Sequence, residues 1–352
     1  MRPALKTALA FAALFVATPI ALAESSSWFQ RSDEKKPAPA QTEVKKTKPT
    51  AAAPAAANSN APAIKSEVPI TGDDAAYLAF DQGQYLTALK LAQEAAKRGE
   101  PQAHTLIARI YAEGLGVPKD EKAAVGWYAK AAELGDVSGA FALGLMYAEG
   151  RGVEKNRAKA AEMFEKAALK GHAEANYNLG LLFLKGEGKP ENPRRAFAHI
   201  RYAAEKGIAQ AQYDLAAMYQ SGAGIEPDAT EIARWMSRAA EQGLPVAQYD
   251  YAVLLLKGLG LTKDEPKAPS LMRAAAEKGI AGAQNRMAYL HLEGVGVAKD
   301  PIEAAKWRLI AKQNGIDDKA LDDAIAKLSS ADRKKADVAA SQWLDRIQVQ
   351  PE

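Results

Sequence analysis

Phe141, Tyr177, Tyr213 and Tyr249 stand 36 residues apart, and the residue after each is Ala142, Asn178, Asp214 or Asp250. Rigid rings beside hydrogen-bonding groups are the composition favoured at binding hot spots. Arg286 and Tyr289 continue the same face in the next interval. The expected partner-binding surface is therefore Phe141, Tyr177, Asn178, Tyr213, Asp214, Tyr249, Asp250, Arg286 and Tyr289. The rings have a second reading, in which they pack between neighbouring helices, and an amphipathic ring serves both roles.

Catalytic chemistry finds little footing. His104, His172, His199 and His291 fall at different positions of different intervals, and the chain contains no His-Glu-x-x-His, no Gly-x-Ser-x-Gly and no phosphate loop. The recurrent Gly-x-Gly turns follow no strand and read as connectors. With no cysteine in the sequence, disulfides, thiolate nucleophiles and cysteine-ligated metals are all excluded. The expectation is a protein that is not an enzyme and has no catalytic residues, no cofactor and no metal site.

The elements that must position these columns are set by glycine. Gly99, Gly135, Gly171, Gly207, Gly243, Gly279 and Gly315 keep the same stride of 36, and inside each interval Gly114 and Gly116 have counterparts in all the others. A period of this length is the mark of stacked helical pairs. Six units then run from 100 to 315. In each, small and apolar residues at helical spacing, such as Ala140, Leu143, Gly144 and Tyr147, form one face of a first helix. Glycine stops that helix in a left-handed backbone. Asp120, Asn156, Asn192, Asp228, Asp264 and Asp300 have the side chains to cap a second. Pro266 and Pro269 interrupt the fifth unit, so its second helix should start late or bend.

The ends differ from the middle. An apolar run from Ala8 to Leu22 follows Arg2 and Lys6, and Ala21-Leu22-Ala23 precedes Glu24. That pattern predicts a signal peptide over 1–23 cleaved after Ala23, hence export to the periplasm, with secretion beyond it as a further destination. It is too short for a membrane span, and none is expected after cleavage. Residues 24–72, rich in Pro, Ala, Lys and Ser, predict a disordered linker. Its lysines could contact cell-wall polymers, or serve only to solvate the linker. Residues 73–99 read as a degenerate N-terminal helix pair and 316–352 as capping helices, with Asp317 or Asp318 starting one of them and Trp343 facing inward. The formal net charge is +3, and part of that excess lies in the leader and linker. The repeats lack the basic footprint of nucleic-acid binding.

The recurrent string A-x-x-x-L-G-x-x-Y-x-x-G-x-G-V-x-x-D-x-x-K-A-x-x-x-x-x-x-A-A-x-x-G, matched at most of its positions by residues 103–135 and their successors, resembles the Sel-one-like repeat, a relative of the tetratricopeptide repeat. The resemblance implies an all-α, right-handed α-solenoid with no cofactor, acting as a scaffold, adaptor or regulator that holds protein or peptide partners along a concave groove lined by first helices. Exported bacterial members of the family are similar in this, and include periplasmic proteins that restrain kinases controlling envelope polysaccharide. The leading expectation is a non-enzymatic periplasmic interaction scaffold or regulator, of envelope signalling or exopolysaccharide production. The alternatives are a cell-wall-associated factor that binds peptidoglycan or processes β-lactams or muropeptides, and a secreted effector.

Overall fold

The computed structural model describes residues 72–349. The expected signal peptide and all but the last residue of the expected linker lie outside them. Among the described residues there are sixteen α-helices and no strand. They fall into two compact units, one ending at Glu154 and the other beginning at Lys155.

The first unit holds α1 (Gly72–Asp81), α2 (Tyr85–Lys97), α3 (Pro101–Glu113), α4 (Glu121–Glu133) and α5 (Val137–Glu149). Here α1 packs on α2, α2 on α3, α3 on α4 and α4 on α5. Ala88, Ala92, Ala103, Leu106, Ile107 and Ile110 form the dry centre. Residues 73–99, read as a leading pair, are helical throughout except at the Gly83 turn and the Gly99 exit.

The second unit continues with α6 (Arg157–Leu169), α7 (Ala173–Lys185), α8 (Pro193–Glu205), α9 (Ala209–Ser221), α10 (Ala229–Glu241), α11 (Pro245–Lys257), α12 (Ala268–Glu277), α13 (Ala281–Glu293), α14 (Pro301–Gln313), α15 (Lys319–Ile325) and α16 (Ser330–Val349). Helices adjacent in sequence pack on one another from α6 to α15, and α16 returns onto α14. The fold is thus all-α, built of stacked helix pairs.

Second helices begin where a short polar side chain meets the first free amides. Asp120 accepts from Ala123 N–H at 2.8 Å, Asn156 from Lys159 N–H at 2.9 Å and Asn192 from Arg195 N–H at 3.0 Å. Asp228 and Asp300 each serve two amides. The exception is the proline-bearing unit. Asp264 still accepts from Lys267 N–H, but the helix starts only at Ala268 and is 10 residues long against 13 for α10 and α14. A proline cannot donate to the turn before it, so the first turn is spent on a bend.

Two glycines show why the stride is held so tightly. Gly260 has φ +71°, and a Cβ there would run into the carbonyl of Ala229 at the start of α10. Gly180, inside α7, would place its Cβ 2.7 Å from the Ile200 side chain of α8. Close helix contact therefore takes precedence over the helix-propensity cost of glycine, about 1 kcal/mol.

The C-terminal end is closed by a buried arginine. Arg308 on α14 is 1 % exposed. It donates to both carboxylate oxygens of Asp322 at 2.8 and 3.1 Å, to Asn285 Oδ1 at 3.1 Å and to the Ile316 carbonyl at 2.7 Å. Asp318 caps α15 through Leu321 N–H, and Trp343 of α16 meets Trp307 edge to face at 5.6 Å.

Candidate functional site

The first helices of the second unit, α7, α9, α11 and α13, carry the expected column, and a ladder of hydroxyl contacts connects them. Tyr177 donates to Asp214 Oδ2 at 2.8 Å and Tyr213 donates to Asp250 Oδ2 at 2.9 Å. Tyr249 is hydrogen-bonded by Arg286. Each ring reaches 37 residues ahead, to the position just after its own counterpart in the next repeat. The acceptor in one step is thus the neighbour of the donor in the following one. Tyr289 ends the series on Asp318 of the C-terminal cap, at 3.0 and 3.1 Å.

Burial grades along this ladder. Asp214 is 0 % exposed, Tyr213 5 % and Tyr177 9 %. Asn178 is also buried and donates to the Glu174 carbonyl at 2.8 Å. Tyr249, Asp250, Arg286 and Tyr289 are half-buried and keep part of their surface in water. Phe141, in the first unit, is half-buried as well. The column is therefore closed by its own contacts at α7 and α9, and accessible at α11 and α13.

Burial also governs the electrostatics. It pushes the Tyr177 and Tyr213 hydroxyls far above the ordinary phenol range, and the charges of Asp214 and Asp250 add to the rise. Tyr289 is raised to about 12, first by burial and then by its bond to Asp318. Asp250 is raised to about 6 by burial, against the opposing effect of the Tyr213 hydroxyl. Lys257 is lowered by burial and next by the charge of Arg286, so the accessible end of the face concentrates positive charge beside tyrosine. Arg286 lies 5.9 Å over the Tyr289 ring.

A second column escaped sequence reading. The side-chain amides of Asn176, Gln212, Gln248 and Gln284 donate to the carbonyls of Ala168, Ala204, Ala240 and Ala276, eight residues upstream, at 3.0 to 3.4 Å. Each ties the start of a first helix to the end of the preceding second helix. The signal was present in the period of 36, but an amide has no preferred role until its partner is placed. Arg308 escaped for the same reason.

Each of the four histidines meets a neighbouring polar group. His172 Nδ1 accepts from Ala175 N–H at the start of α7, His104 Nδ1 meets the Glu100 carbonyl, and His199 meets Asn176 Oδ1 while stacking on Phe183. His291 lies 3.4 Å from Arg273. Among the described residues, no group of three or more His, Cys, Asp or Glu side chains is arranged to hold a metal ion. No described helix is long and apolar enough to cross a membrane.

Stacked pairs with a recurring polar column on their first helices define an α-helical repeat protein. The Sel1 repeat matches residues 101–136, 137–172, 173–208, 209–244, 245–280 and 281–315. The chain belongs to the Sel1 repeat family, whose repeats build protein–protein interaction scaffolds. A Sel1 repeat protein from Oxalobacter formigenes of known structure is 30 % identical over 70 % of this chain and 99 % of its own, with a TM-score of 0.60. The protein c5321, a protective antigen of uropathogenic Escherichia coli with this fold, is 25 % identical over 80 % of this chain and 71 % of its own, with a TM-score of 0.52. No curated protein is significantly similar to this chain.

Proposed function

We propose that this protein is an exported, non-enzymatic scaffold or regulator of the bacterial periplasm. It takes a peptide or surface loop of a protein partner along its first-helix face, in an envelope pathway such as signalling or exopolysaccharide production. The observation that carries the reading is the accessible end of the ladder. Tyr249, Asp250, Arg286 and Tyr289 offer aromatic surface, a carboxylate and a guanidinium side by side, the mixture that recognises polypeptide. The remaining members of the second unit, Tyr177, Asn178, Tyr213 and Asp214, extend that face as its rigid backing, and Phe141 offers its own half-buried ring in the first unit. Export is supported by the leader over 1–23 with its Ala-x-Ala site.

The test is cross-linked capture from envelope fractions with the mature chain, with a version lacking 24–72, and with Arg286→Glu combined with Tyr289→Ala. One dominant protein captured by the first two and lost with the third supports the reading. Sacculus fragments recovered only when 24–72 is present would transfer the function to the linker and to cell-wall binding.

A further inference from the structure

The face opposite in kind to the ladder, made by second helices, holds a slot of about 460 Å³ between α8 and α10. Its floor is aromatic. Trp235 is 3 % exposed and donates its indole N–H to Glu231 Oε2 at 2.8 Å, while Tyr219, the other ring in the lining, meets the buried Phe197 behind it edge to face at 5.6 Å. Its walls are guanidinium groups laid on those rings. Arg201 stands 5.5 Å from the Phe197 centroid, and Arg234 and Arg238 stand 5.2 and 4.7 Å from that of Trp235.

The charges in the slot do not cancel. Arg234 donates to Glu231 at 2.9 Å and Arg201 lies 3.6 Å from Glu205. Arg238 lies on the indole instead, with no carboxylate at ion-pair distance among the described residues. Three exposed guanidiniums thus share the slot with two carboxylates, an excess of one positive charge that attracts an added anion through charge-assisted hydrogen bonds.

The fold does not require this set. The repeats on either side carry Glu165 and Ser237 at the position of Arg201, Ala198 and Ser270 at that of Arg234, and Tyr202 and Ala274 at that of Arg238. A second helix thus forms in each neighbouring repeat with another residue at the corresponding position.

Spacing indicates the shape of the ligand. Arg234 and Arg238 lie one turn apart on α10, about 6 Å along its axis. Alternate side chains of an extended peptide project on one side every 6.6 to 6.8 Å or so. A row of carboxylates on alternate residues therefore meets successive guanidiniums. We propose that this slot binds an extended acidic peptide segment carrying carboxylates at every second residue, independently of the first-helix face.

The test is calorimetric titration of the full mature chain with two end-capped isomers of equal charge, Glu-Ser-Glu-Ser-Glu and Glu-Glu-Glu-Ser-Ser. The alternating peptide is expected to bind at one site, more tightly than its isomer, and to weaken as salt is added. Arg201→Glu with Arg238→Glu should weaken it about tenfold or more. Lys130→Glu with Lys166→Glu, which reverses charge at the Arg238 position of two other repeats, should leave it nearly unchanged. All four are exposed side chains, and an unchanged circular-dichroism spectrum confirms that the variants are folded. Equal binding of the two isomers, equal loss in both variants, or no binding overturns the proposal. Complete displacement by an equal concentration of inorganic phosphate also overturns it, since the slot would then be a site for free oxyanions.

Discussion

Asp250 is where the chemistry of single residues is easiest to test. Its carboxyl sits at about 6 against an ordinary 3.8, so the folded state holds that proton more tightly than the unfolded chain does. Protonation then favours folding, and this contribution is fully present below about 3.8 and lost as pH rises through about 6. Asp250→Asn keeps an acceptor for the Tyr213 hydroxyl and removes the charge. It should raise stability at pH 7 by about 1–2 kcal/mol, after allowance for the partial exposure of the group. It should also flatten the difference in melting temperature between pH 4 and 7, as calorimetry at both pH values would show. Tyr213→Phe acts in the opposite sense. It leaves the Asp250 carboxylate without its phenol donor and should cost about 1–3 kcal/mol in urea unfolding.

At the level of the element, helix starts carry the argument. Second helices depend on one side chain each, and Asp228 serves both Thr230 and Glu231 N–H at the head of α10. Asp228→Ala should cost about 1 kcal/mol. First helices such as α9, α11 and α13 begin after Ile208, Leu244 and Ile280, with no side-chain cap. They are held instead by the amides of Gln212, Gln248 and Gln284, so Gln284→Leu should destabilise more than Asp228→Ala, because it leaves the buried Ala276 carbonyl without that donor. At the C-terminal end, Arg308→Ala strips Asp322, Asn285 and the Ile316 carbonyl together. We expect a loss of about 3 kcal/mol, with amide exchange in α15 rising first.

The whole molecule follows the logic of nearest neighbours. Because each repeat of the second unit contacts mainly the elements before and after it, a deletion in phase with the period preserves every kind of contact. Removing 209–244 would join α8 to α11 and bring Asp250 to the place of Asp214 opposite Tyr177. That chain should fold with proportionately less helix and a lower melting temperature, both read by circular dichroism. Removing 18 residues from the same region would place a second helix where a first belongs, and should leave no cooperative transition.

Sequence alone determined the number of repeats, the class of fold, the polar caps, the delayed start of α12 and the existence of a recurring aromatic column. These are local or periodic properties, set by glycine backbone freedom, helix spacing and short-range capping, and they are written into residues near one another in the chain. Which members of the column are sealed and which are accessible was decided only by tertiary structure. Tyr177 and Tyr213 look the same as Tyr249 in sequence, yet the first two donate to carboxylates in the next repeat and are buried, while the third shares its contact with Arg286 and stays partly wet. The same holds for Arg308 and for the arginines around Trp235. Burial and partnership depend on groups up to 37 residues away, and only packing brings those groups together.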